Sequence, residues 1–149
     1  MKMTLTGTDT APPRSPAGLN AIHHVGISVS DLERSVGWYE RALGMVRWMD
    51  ETFEGGRTAG LMRPGTMLYL GITQHDECGD EDFSPRRRGL DHLTFAAGSR
   101  EELKEWQSHL IDLGVECSAL REYVEPIPFA LFTFTDPDGV ALEAMHIGA

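Results

Sequence analysis

The sequence predicts an α+β fold built from two tandem β-α-β-β-β modules, and three observations carry that expectation. An alternating strand motif followed by an N-capped helix occurs twice, opening at Ala21 and again at Gly89. Each helical stripe stops at a glycine, Gly44 and then Gly114. Three further strand-like runs follow each helix, so one order of elements recurs over two halves of about 60 residues. A unit of that size buries too little surface to stand alone, which argues that both halves share one core.

Residues 1–20 hold Pro12, Pro13 and Pro16 among Thr, Ser and Gly with no apolar period, and read as a disordered leader. A single domain is expected over residues 21–147: module 1 at about 21–74, a linker at 75–88 and module 2 at about 89–147. In module 1, Val25, Ile27 and Val29 alternate with His24, Gly26 and Ser28, the period of a half-buried strand. Ser30-x-x-Glu33 then reads as a capping box, and Leu32, Val36, Tyr39 and Leu43 follow at helical spacing. Strands are expected at Val46–Met49, Thr58–Met62 and Met67–Ile72. The linker carries Asp76, Glu77, Asp80, Glu81 and Asp82 before Arg86, Arg87 and Arg88, a solvated stretch. In module 2, Leu93 and Phe95 alternate with His92 and Thr94, Ser99-x-x-Glu102 repeats the box, and Leu103, Trp106, Leu110 and Leu113 form the stripe. Strands are expected at Val115–Leu120, Phe129–Thr135 and Val140–Ile147, the last two joined by the tight-turn sequence Asp136-Pro137-Asp138-Gly139. Trp38, Tyr39 and Trp106 are assigned to helix core.

Composition bounds the function. Of the 149 residues, 41% are hydrophobic, enough for a packed core once the 16 glycines are counted. A net charge of −10 gives no field to hold a polyphosphate backbone, so nucleic acid is not an expected partner. No apolar run approaches the ~18 residues of a membrane span, and the first residues lack a signal-peptide core. Cys78 and Cys117 cannot build a disulfide framework, which points to a reducing cytoplasm.

Strand parity selects the candidate chemistry. With Val25, Ile27 and Val29 packed against the helices, His24 faces the other side of its sheet, and the same parity applies to His92. Leu142 and Ala144 form the packing side of the last strand, so Glu143 points away as well. Two imidazoles and one carboxylate on the helix-free face would suit one divalent metal ion with positions left open. The same parity puts His23 and His146 on the packing side, and Asp91 is the repeat equivalent of His23. Aligning Met67–Leu70 with Ala141–Ala144 sets Tyr69 where the first module would supply its own carboxylate.

His24-Val-Gly-Ile-Ser-Val-Ser-Asp-Leu-Glu-Arg-Ser35, Trp38-Tyr39, Leu43-Gly44, Gly89-Leu-Asp-His-Leu-Thr-Phe95 and Phe134-Thr-Asp-Pro-Asp-Gly-Val-Ala-Leu-Glu143 together resemble the vicinal oxygen chelate superfamily. That group includes glyoxalase I, extradiol dioxygenases, fosfomycin-resistance enzymes, methylmalonyl-CoA epimerase and bleomycin-resistance proteins. The resemblance covers about residues 21–147 and implies paired modules whose sheets form a curved cleft. It implies metal ligands on first and last strands, onto which His24, His92 and Glu143 map, and a substrate held through two neighbouring oxygens. Departures narrow the reaction. Tyr69 replaces the fourth ligand of glyoxalase I and the epimerase. Thr133 and the run Val124-Glu125-Pro126 stand where the extradiol signature has Tyr and His. Ala130–Thr135 carries no cation for a phosphonate.

The expectation is therefore a metal-dependent enzyme acting on a small oxygenated substrate, with a dioxygenase-like reaction favoured. Fe2+ is the favoured ion, with Mn2+, Zn2+ or Ni2+ as alternatives. A glyoxalase-type lyase or isomerase and a metal-free bleomycin-resistance-type binder are the competing readings. Tyr69 and Glu143 are the expected catalytic residues, Tyr69, Met67, Met145 and Tyr123 line the substrate, and Glu125 lies at the cleft mouth. Exposed sheet edges and the resemblance together favour a homodimer.

Overall fold

The computed structural model describes Gly18 and residues 21–148, so the expected leader lies, Gly18 apart, outside the described residues. Module 1 runs β1 (Val25–Ser28), α1 (Leu32–Leu43), β2 (Val46–Phe53), β3 (Gly56–Met62) and β4 (Tyr69–His75). Module 2 repeats the order with β5 (Leu93–Ala96), α2 (Arg100–Asp112), β6 (Arg121–Tyr123), β7 (Phe129–Thr135) and β8 (Ala141–Ile147). Each module forms an open four-stranded sheet, in the orders β1-β4-β3-β2 and β5-β8-β7-β6. The first strand runs parallel to the last in both, because α1 or α2 crosses over between the first strand and the rest.

Both helices form where the apolar stripe was read, and their termini show why. Asp31, not Ser30, caps α1: its carboxylate accepts the Arg34 N–H at 3.0 Å. Gly44 ends α1 at φ 63°, a left-handed conformation that a side chain would strain. In α2 the cap is Ser99, which accepts from Glu102 N at 3.1 Å, while the Glu102 carboxylate returns to Gly98 N. Two strands are displaced from expectation. The run Met67–Ile72 becomes Tyr69–His75, since Arg63–Leu68 closes a turn in which Thr66 Oγ1 donates to Arg63 O and accepts from Leu68 N. Val115–Leu120 is not a strand: Ser118 N donates to Thr133 O, but the Ser118 hydroxyl takes the returning Thr133 N–H and ends the ladder. Pairing resumes at β6, where no strand was expected.

One core serves both modules. Ile27, Val29, Leu32, Val36, Tyr39, Leu61 and Ile72 from module 1 join Leu103, Leu110, Phe132 and Leu142 from module 2, with Tyr39 and Phe132 fully buried. The modules are fastened on this helix side by the β7–β8 turn. Asp138 accepts from Ser30 Oγ at 2.5 Å, Arg34 at 2.7 Å and Ser30 N at 3.2 Å at the start of α1. Beneath it the Tyr39 hydroxyl donates to Asp136 at 3.0 Å, and the other Asp136 oxygen takes the Asp138 and Val140 N–H groups, both at 2.9 Å. The helix-free face of each sheet is left open.

Candidate metal centre

The sheet registers align the two modules residue by residue. Val25 pairs with Leu70 and Gly26 with Gly71, while Leu93 pairs with Leu142 and Thr94 with Glu143. His24 and His92 are thus true equivalents, each one residue before the first matched pair of its sheet. The position equivalent to Glu143 is Gly71, however, not Tyr69, which corresponds to Ala141; the earlier alignment is out by two residues. It failed because it treated Met67 as the start of the strand, and the turn delays that start to Tyr69. The fourth ligand, a carboxylate on module 1, is still missing, now because its place holds a glycine. A side chain there would reach His24, whose Cδ2 lies 3.9 Å from the Cβ position of residue 71.

On module 2, His92 and Glu143 line one open cleft of about 610 Å³ on the helix-free face, together with Asp91, Cys117, Ser118 and Thr133. Each is held by a neighbour. Asp91 Oδ2 lies 2.5 Å from His92 Nδ1, which leaves Nε2 free as a ligand. Thr94 Oγ1 donates to Glu143 Oε1 at 3.1 Å. Cys117 is a poor further ligand: burial pushes its thiol up, against the thiolate that a metal needs, and its sulfur donates to Val115 O.

On module 1, His24 has its own neighbour: His23 Nδ1 lies 3.0 Å from His24 Nδ1. His23 is exposed and stacks on Tyr69 at 5.7 Å, not on the packing side as parity suggested, because β1 begins only at Val25 and alternation does not extend back to it. His146 does turn inward, to Ala97 O at 3.1 Å. Tyr123 stacks on Phe129 at 4.4 Å, and the β7–β8 register sets Phe129, Leu131 and Met145 on the Glu143 side of the sheet. Met67 instead belongs to the β3–β4 turn, is exposed, and lines a different cavity. Glu125 lies exposed between β6 and β7.

The structure brings His92 and Glu143 together and leaves His24 on the other module. Among the described residues, no three His, Cys, Asp or Glu side chains of one chain are placed to hold a single metal ion. The sequence sets the three on helix-free faces and does not say whether one chain or two bring them together. Asp91, Thr94 and His23 were passed over as contributors. The signal for each was available in adjacency to a candidate ligand or in strand parity.

Two open β-α-β-β-β sheets with histidines at equivalent positions, one residue before the first strand of each, define a class, the paired-module fold. The chain belongs to the glyoxalase/bleomycin resistance protein/dioxygenase superfamily, whose family model matches residues 21–144. The metallothiol transferase FosB of Lysinibacillus sphaericus is 29% identical over 130 residues, covering 87% of this chain and 84% of FosB. The crystal structure of a glyoxylase/bleomycin resistance protein/dioxygenase domain from Frankia sp. EAN1pec is 30% identical, with a TM-score of 0.79 over 87% of this chain and 93% of that one. A mutant of the fosfomycin resistance protein FosX of Listeria monocytogenes, complexed with Mn(II) and a dihydroxypropylphosphonic acid, shares the fold at 21% identity and a TM-score of 0.65, over 89% and 95% of the two chains.

Proposed function

We propose that this protein is a metal-dependent enzyme whose centre forms between two copies of the chain, His92 and Glu143 coming from module 2 of one and His24 from module 1 of the other. The single observation that carries this reading is the split of the ligands. One chain orients His92 and Glu143 on an open face but, among the described residues, offers them no third ligand, while His24 sits at the equivalent place on a module that lacks the carboxylate. The helix sides of the modules are already occupied by each other, so a second copy meets the open faces. Two neutral imidazoles and a carboxylate fit a divalent ion, with Fe2+ favoured and Mn2+, Zn2+ or Ni2+ able to compete. The kinship to a metallothiol transferase supports metal use.

When bound, the ion supplies a Lewis acid that holds two neighbouring oxygens of a small substrate and takes up negative charge or activates dioxygen. The chain supplies the rest. Asp91 fixes the His92 tautomer, Thr94 fixes the Glu143 rotamer, and Tyr69 offers a phenol as donor or acid next to His23. Tyr123, Phe129, Leu131 and Met145 give the Glu143 side an apolar wall for the substrate body. Gly71 counts against the glyoxalase-type reaction, because a glycine provides no second carboxylate to move a substrate proton.

The reading is tested by anaerobic reconstitution with Fe(II) and oxygen-uptake screening against catechols and α-hydroxy carbonyl compounds. Uptake that depends on one compound and is lost in His92→Ala supports it. Protein purified without chelator that holds no divalent ion and gains no thermal stability from Fe(II), Mn(II), Zn(II) or Ni(II) would leave the metal-free binder as the better description.

A further inference from the structure

A second cavity, of about 470 Å³, lies between the β3–β4 turn of module 1 and the β5 edge and α2 of module 2. None of His24, His92 and Glu143 lines it. Its walls are mostly apolar, with Leu43, Met67, Phe95, Trp106 and Phe132 prominent, and its size is that of a small-molecule site, roughly 300–1,000 Å³.

Arg63 stands in this wall. Its Nη1 donates to Leu43 O, one of the last carbonyls of α1, at 2.8 Å, and its guanidinium carbon lies 4.6 Å from the centre of the Trp106 ring. These two contacts hold the group in place without neutralising it. Among the described residues no carboxylate lies within the 4.0 Å of an ion pair to Arg63, and its Nε and Nη2 donate to nothing. Glu102 is the one carboxylate in the lining, and it already accepts the Gly98 N–H at 2.9 Å. The unspent donors of the cavity are those of Arg63, which stand beside apolar walls, while Glu102 keeps one oxygen unengaged. A fixed guanidinium fork next to an aromatic surface matches an acid group carried on an apolar body.

We propose that this intermodule cleft binds an organic anion, its acid group on Arg63 and its apolar part against Trp106, Phe95 and Phe132. The occupant it fits is a small amphipathic carboxylate. None of the proposed metal ligands lines the cleft, although Thr94, which donates to Glu143, borders it; the two proposals are tested separately.

Decanoate is the probe, titrated into the full chain by calorimetry and followed by NMR. Saturable binding is expected, with shifts at the Trp106 indole and around Arg63. Decanol, which has the same body without the charge, is expected to bind at least tenfold more weakly, a comparison that needs no variant. Arg63→Gln is expected to lose at least tenfold and Arg63→Lys less. His92→Ala is expected to bind decanoate as the wild type does, since the metal face is not involved. Equal binding of decanol and decanoate would overturn the proposal, as would loss of binding in His92→Ala, or no binding at all. Binding that appears only after removal of residues 1–20 would assign the cleft to that segment instead.

Discussion

Mixing two inactive variants tests the split centre directly. His24→Ala removes the module 1 ligand and Glu143→Ala removes one of the module 2 pair, so each homodimer has two defective sites. In a hybrid dimer, one site draws His24 from the Glu143→Ala chain and both His92 and Glu143 from the His24→Ala chain, and is complete. The other site keeps only His92. Random assortment makes half of the dimers hybrid, each with one intact site of two, so about one quarter of all sites are restored. Elemental analysis of the mixed and separate populations, after refolding together and with hybrids confirmed by native mass spectrometry, reads this fraction. Neither substitution threatens the fold, because His24 is exposed and Glu143 faces away from the core. Hybrids that form but recover no metal would show that the ligands belong to one chain and refute the reasoning.

Three further outcomes follow from the same geometry. Asp91→Asn should weaken metal binding by about 10–100-fold, measured by competition with a chromogenic chelator, because Asp91 orients His92 without being a ligand. Asp138→Ala should cost about 1–3 kcal/mol, a drop in Tm of roughly 2–4 °C for each kcal/mol in thermal unfolding, because Ser30 and Arg34 lose their shared acceptor. Burial alone would raise the Asp138 carboxyl, but the Ser30 and Arg34 donors outweigh it and hold it below its ordinary 3.8. A lowered native value means its contribution is complete above that pH and is lost as pH falls through the lowered value, and the Asp138→Ala chain should lack that acid step. Gly71→Glu should fold, since a Cβ there meets nothing closer than 3.9 Å, and should add a carboxylate beside His24; we expect tighter metal binding and loss of oxygen uptake in the same titration and screen.

Much of the fold was legible because it rests on local signals. Helix stripes, Ser99, Gly44 and the Asp136–Gly139 turn lie within a few residues of the structure they specify, and both helices and β7 appear where they were read. The errors arose where a side chain interrupts a ladder: Thr66 holds β4 back to Tyr69, and Ser118 replaces a backbone partner and suppresses a strand at Val115–Leu120. Parity set Glu143 and Thr94 on the same face, since both lie within ladders, but it failed for His23, which precedes one. Parity also says which face a residue takes and nothing about which module meets which. That choice belongs to long-range contacts such as Tyr39 with Asp136, 97 residues apart, which no local pattern encodes.

The β7–β8 hairpin joins the two levels. Its turn fastens module 2 to the start of α1, and four residues after Gly139 the same strand presents Glu143 to the open face. Asp136 fixes the turn, its carbonyl taking Gly139 N and its carboxylate taking Asp138 N and Val140 N, so the register of β8 is set from the docking end. A slip of one residue would drive Glu143 among Phe132 and Leu110 and turn Ala144 outward, removing the ligand and burying a carboxylate without a partner. The contact that holds the modules together thus also decides which side of the sheet Glu143 occupies. For this reason Asp136 and Asp138, which touch neither the proposed metal ion nor its substrate, belong to the chemistry as much as to the fold.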